Sequence, residues 1–98
     1  MTVQSDELHP VGFGYVFNIS QEGLGVDARA LVNMDALPTV GTTLKLKFKL
    51  PTSSTYTSIF AKVVYIEILP DQSPHIGFAF VMPPVDLATE IQRYSQSL

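Results

Sequence analysis

The sequence predicts a mainly β domain: a small antiparallel barrel with one C-terminal helix. Three observations carry this. Apolar and polar residues alternate along several short segments, the period of a half-buried strand. Gly and Pro punctuate those segments at Gly23, Gly41, Pro51, Pro70, Pro74 and Pro83-Pro84. Only near the C-terminus does the apolar spacing change to four, three and four, the stripe of a helix.

Residues 1–10, Met1 to Pro10, are polar and without period, and are expected to be a flexible N-terminal tail. The domain proper is expected over 11–98. Its first strand spans Gly12 to Ile19. There Phe13, Tyr15 and Phe17 alternate with Gly12, Gly14 and Val16, so the aromatic face is expected to look into the core. The alternative is an exposed stacking platform. Ser20 to Gly23 has the length of a hairpin turn, and Leu24 to Ala28 forms the second strand. Leu24, Val26 and Ala28 share one face; Asp27 and Arg29 share the other and are placed to pair. Ala30 to Val40 shows no strand pattern, with room for one helical turn at Asn33 to Ala36, and Gly41 turns the chain into the next strand.

Thr42 to Leu50 is the clearest element. Leu44, Leu46, Phe48 and Leu50 alternate with Lys45, Lys47 and Lys49, a strand with one buried and one solvated face. The three lysines would suit an anion site, but a row of exposed lysines also keeps a strand soluble and blocks edge pairing, which is the reading expected here. Tyr56 to Leu69 is a long β-branched strand, apolar on both faces in its second half, which predicts a central strand or one bent by a bulge. His75 to Met82 is the last strand, with Ile76, Phe78, Phe80 and Met82 on one face. Pro83-Pro84 stops it. Asp86 is a predicted N-cap for a helix from Leu87 to about Ser95. The stripe Leu87, Ile91, Tyr94 and Leu98 must dock on the barrel, because so short a helix is marginal alone.

Composition narrows the function. The chain has 98 residues, 46% of them hydrophobic and 15% charged, which suits one globular domain. The net charge is -3 and the only arginines are Arg29 and Arg93, which argues against DNA or RNA as a partner. There is no cysteine, so no disulfide and no thiolate chemistry. The polar, acidic start and the lack of a long apolar run point to a cytoplasmic domain with no membrane insertion. No catalytic set stands out: His9 and His75 have no acid–base neighbour in sequence, and Asp27, Asp35, Glu67, Asp71 and Asp86 are scattered. Gly12-Phe13-Gly14 and Gly23-Leu24-Gly25 lie inside strand patterns, not before helices, so they are not phosphate loops. Asn18-Ile19-Ser20 matches a glycosylation sequon by chance. The chain therefore reads as a non-enzyme with no cofactor and no metal.

What remains is the turn. Asn18 offers an amide, Ser20 a hydroxyl, and Gly23 close backbone approach. Equally, Asn and Ser close turns by bonding to their own backbone.

Asn18-x-Ser20-x-x-Gly23 resembles the Asp/Asn-x-Ser-x-x-Gly motif of PilZ domains, bacterial receptors of cyclic di-GMP. Leu37-Pro38-x-x-Gly41-x-x-Leu44-x-Leu46-x-Phe48-x-Leu50-Pro51 is similar to that family's third strand and lead-in. Ala61-Lys62-Val63-Val64-Tyr65-Ile66 and Ile76-Gly77-Phe78-Ala79-Phe80 resemble its later strands. The resemblance runs in order from about Val11 to Tyr94. It implies a six-stranded barrel with a C-terminal helix, so one expected strand is missing from the count of five above. The missing strand is expected from a split of Tyr56 to Leu69 or from Ala30 to Val40. The resemblance also implies cyclic di-GMP as candidate ligand, with Asn18, Ser20 and Gly23 as ligand-binding residues. The alternative it implies is a degenerate domain that binds no nucleotide and serves as a protein–protein adaptor in pilus, motility or biofilm regulation. One departure bears on that choice: the family's Arg-x-x-x-Arg lead-in has no counterpart, since Met1 to Phe17 contains neither Arg nor Lys.

Overall fold

The computed structural model describes residues 2–5, 9–29 and 37–96. In chain order these form β1 (Thr2–Ser5), β2 (His9–Ile19), β3 (Gly23–Asp27), β4 (Thr43–Phe48), β5 (Thr57–Ile68), β6 (Pro74–Phe80) and α1 (Val85–Gln96). Every pairing is antiparallel, and the sheet closes on itself in the order β1-β2-β3-β6-β5-β4. Closure leaves no free strand edge.

The sixth strand is β1, and this corrects two expectations. Thr2–Ser5 is not a tail: it pairs with both β2 and β4, and Val3 and Ser5 are buried. Nor does Tyr56 to Leu69 split, because β5 runs unbroken through it. Residues 37–40 contain no strand, and 30–36, with the helical turn expected at Asn33 to Ala36, lie outside the described residues. Four residues with a single apolar side chain show no period two. What recruits them is the gap between β2 and β4, whose unpaired backbone groups need partners.

β4 follows the alternation read from the sequence. Leu44, Leu46 and Phe48 point inward with Leu50 beyond them, while Lys45, Lys47 and Lys49 point out. They meet Val26, Val63, Ile76 and Phe78 from the other strands in one core, and Phe80 stacks on Phe48 at 6.3 Å. Lys47 does not guard an edge, since β4 is paired there with β1 as well as with β5. Gly41 turns the chain into β4 with φ +97°, at the third position of the turn closed by Thr42 N–H on the Thr39 carbonyl.

The aromatic face of β2 is the second correction. Tyr15 and Phe17 point outward and are 63% and 46% exposed; Gly14 and Val16 take the inner side, and Phe13 lies outside the residues whose side chains are described. A six-stranded barrel has a narrow interior. Here it is filled from the other strands, so closely that a Cβ on Gly14 would meet Val26 and the Asp27 carbonyl.

The helix is the third. It begins at Val85, so Asp86 lies within its first turn, where a carboxylate complements the macrodipole, and not at the N-cap. The Leu87 N–H donates to the Pro84 carbonyl at 3.1 Å. Leu87 and Ile91 are buried and Tyr94 packs beside them, as the stripe requires; Leu98 is outside the described residues. The helix lies against the end of the barrel that carries the β2–β3 turn, where Ile91 and Gln92 share a cleft with Ile19 to Glu22.

Candidate functional site

Two β-bulges shape the outer wall of the barrel. Between β2 and β3 the register slips between Val16 and Asn18, which sends Phe17 and Asn18 outward in succession. Between β5 and β6 it slips between Val63 and Tyr65, and Val64 and Tyr65 both point outward. The apolar residues on both faces of β5 were the sequence signal for this bulge. Between the two bulges, the outward positions of β3 and β6 pair as Gly23–Ala79, Gly25–Gly77 and Asp27–His75. A wall whose centre carries three glycines and one alanine is nearly bare backbone. Raised rims on a bare floor make a groove.

The groove has a volume of about 360 Å³. Asn18, Ser20 and Gly23, the three candidate residues, all line it, together with Glu22, Val64 and Tyr65. At one end the rings of Phe17 and Tyr65 lie over the Gly25–Gly77 pair, from opposite sides. A Cβ on Gly25 would fall 2.6 Å from the Phe17 ring, and one on Gly77 would strike the Tyr65 ring. Sequence reading singled out Gly23, and Phe17 only as part of an alternative stacking face, but not Gly25, Gly77 or Tyr65. Their role depends on strand pairing, and only the bulge signal in β5 hinted at it.

Ser20 is committed locally. Its backbone N–H donates to the Gly23 carbonyl at 2.8 Å and closes the hairpin. Its hydroxyl donates to a Glu22 carboxylate oxygen at 3.0 Å and accepts the Glu22 N–H at 3.3 Å. The Phe80 N–H anchors the Glu22 carbonyl at 2.8 Å. Asn18 is different: its side-chain amide makes no hydrogen bond among the described residues, and its Oδ1 sits beside Gly25. No Lys or Arg lines the groove, and Glu22 places a carboxylate in it.

Arg29 stands outside, beyond the Phe17 ring. Its Nε donates to Asp27 Oδ2 at 2.9 Å and its second nitrogen lies 2.7 Å from the same oxygen, with Asp71 at 3.9 Å. The Arg29 hydrogen bond holds the Asp27 carboxyl below its usual 3.8. His75, which has no acid–base neighbour in sequence, gains one in the fold. It sits on β6, its Nε2 is 3.9 Å from Asp27, and Phe17 stacks on it with ring centres 4.4 Å apart. His9 lies outside the residues whose side chains are described.

An open groove with flat apolar faces, one free amide, a hydroxyl and glycine backbone is built for recognition of a planar or extended ligand. The PilZ domain model matches residues 2–97, nearly the whole chain. The chain belongs to the PilZ family. PilZ domains are cyclic di-GMP-binding signalling domains, and in this one Asn18, Ser20 and Gly23 line the groove at its β2–β3 corner. No curated protein and no solved structure matches the sequence. Among the described residues of this PilZ domain, no helix is long and apolar enough to cross a membrane.

Proposed function

We propose that this PilZ domain acts in bacterial cyclic di-GMP signalling and contacts the dinucleotide in the groove, through Asn18, Ser20 and Gly23. The observation that carries this reading is that all three residues open into one cavity beside the Phe17 and Tyr65 rings. The free Asn18 amide meets phosphate oxygens or guanine edges. Gly23 lets the ligand reach the backbone, and the rings offer stacking faces. The groove holds no guanidinium. Charge-assisted bonds are worth about 1.5–3 kcal/mol each, so lacking two of them lowers affinity by about two to four decades.

Calorimetric titration with cyclic di-GMP tests this. Weak binding is expected, further weakened by Asn18→Ala and by Ser20→Ala. No heat at high-micromolar ligand would sink the reading. Binding that both substitutions leave unchanged would move the site elsewhere.

One observation favours a second reading. The Ser20 hydroxyl already serves Glu22, and the Glu22 carboxylate repels phosphate. On this reading the domain binds no nucleotide and is a protein–protein adaptor in pilus, motility or biofilm regulation, and Ser20 is a turn residue. Ser20→Ala then lowers stability slightly and the titration stays silent.

A further inference from the structure

The wall opposite the motif strand has its own chemistry. Four of the six cationic side chains, Lys45, Lys47, Lys49 and Lys62, are exposed on the outer face of the neighbouring strands β4 and β5. In the closed ring β4 lies three strands from β3 in either direction. The register sets Lys45 opposite Phe60 and Lys62 opposite Thr43, with Lys47 opposite Ser58. No lysine of this wall forms an ion pair among the described residues; Lys47 lies over the Tyr56 ring at 5.0 Å. A domain of net charge -3 thus gathers its lysines on one wall, while Asp27 and Asp71 share Arg29 elsewhere.

Edge protection does not explain Lys47, which sits where β4 is paired with β5 on one side and with β1 on the other. Exposed apolar side chains lie beside the lysine row. Phe60 is 53% exposed, and Val81, whose N–H donates to the Phe60 carbonyl, leads to Met82. Met82 is 92% exposed and is held at φ +49° immediately before Pro83-Pro84. A non-glycine residue in the left-handed region is uncommon, and this one presents a flexible apolar side chain to solvent. Exposed apolar side chains beside a cationic row are the composition of an interface.

We propose that the β4–β5 wall is a docking surface for an acidic segment of a partner protein, one that carries an apolar anchor. Charge complementarity selects the acidic partner. Shape selects a segment over a bilayer: three of the lysines run in single file along β4, about 13 Å from the first to the third, and the wall curves away to either side in a molecule only 25 × 23 Å across. Acidic side chains pair with the lysine row and the anchor packs on Phe60 and Met82. A second copy of this chain, whose Glu67 and Asp86 are exposed, is an outcome that the test below separates from a partner segment. The surface stands apart from the groove and does not depend on what the groove binds.

The test is an NMR titration of the full chain with a short Glu-rich peptide carrying one phenylalanine, beside the same peptide with Gln at every Glu. Shifts are expected at Lys45, Lys47, Phe60, Lys62 and Met82 with the Glu peptide alone, and added salt weakens them. The exposed-residue variants K45E/K47E and F60S are each expected to weaken binding about tenfold or more, and S20A to leave it unchanged. The proposal is overturned by any of four results. These are equal binding of the Gln peptide, shifts that fall on the groove, affinity unmoved by K45E/K47E, or capture by phosphatidylserine vesicles with no peptide response. Self-association in sedimentation that K45E/K47E abolishes would also overturn it, in favour of a second copy.

Discussion

The barrel has two contrasting walls. On the β3–β6 wall the outward positions are nearly empty, and shape comes from bulges and from rings leaning over glycines. On the β4–β5 wall the outward positions of β4 alternate into Lys45 and Lys47, and the pairing of β4 with β5 is regular. Both walls cover the same core. The difference teaches that a small barrel obtains a concave surface by removing side chains and breaking register, and obtains a charged surface by keeping both. The two walls therefore respond to substitution in opposite ways.

The largest effects are expected on the glycine wall. Overpacking costs about 1–3 kcal/mol, and what the new Cβ meets sets the position within that range. At Gly23 it meets the Phe78 carbonyl and the Ala79 Cα, which are backbone in a paired strand and yield little. Gly23→Ala is therefore expected near the upper end in urea unfolding. At Gly77 the Cβ meets only the Tyr65 ring, which is free to swing outward, so Gly77→Ala is expected near the lower end. Equal losses at the two sites would show that the backbone over Gly23 is as yielding as a ring, and the contrast drawn from bare backbone would fail.

A smaller effect depends on pH. The Arg29 hydrogen bond depresses the Asp27 carboxyl, so the folded state binds that proton less readily than the unfolded chain. Its stabilisation is present above the ordinary value of 3.8 and is lost as pH falls through the lowered folded value. The melting temperature of Asp27→Asn should therefore lie slightly below that of the parent at pH 7, and the gap should close as pH falls through the lowered folded value. A gap that persists at low pH would mean that Asp27 acts by packing.

The smallest effect is expected on the lysine wall. Lys47→Ala removes an exposed charge and a cation–π contact and should change unfolding free energy by no more than about 0.5–1 kcal/mol. A larger loss would show that the row carries stability, and would weaken the case that it is kept for a partner.

Legibility in the sequence followed the same division. The lysine wall was readable residue by residue, because β4 alternates without interruption and one face is uniformly apolar. The Asn18, Ser20 and Gly23 corner was readable as a turn with a family motif. The aromatic face of β2 was misjudged, since period two shows which residues share a face and not which face is inside; the answer depended on the volume already taken by Val3, Val26 and Phe48. β1 was missed because one valine in four residues has no period. The Asp86 cap was misplaced by two residues, a boundary that a Pro-Pro pair blurs.

By itself, the sequence determined the β class, the alternating strand β4, the apolar stripe of α1, the absence of cysteine and the polar turn at Ser20 to Gly23. Each is a local matter of side-chain period, backbone preference or chemical inventory. The tertiary structure decided the rest: that Thr2–Ser5 closes the barrel, that Tyr15 and Phe17 face solvent, that Asn18 and Tyr65 become two rims of one groove, and that Arg29 is held by Asp27 outside it. These depend on which strands become neighbours and in what register. Pairing is selected by the closure of backbone hydrogen bonds and the filling of one shared core, and no single segment contains that information.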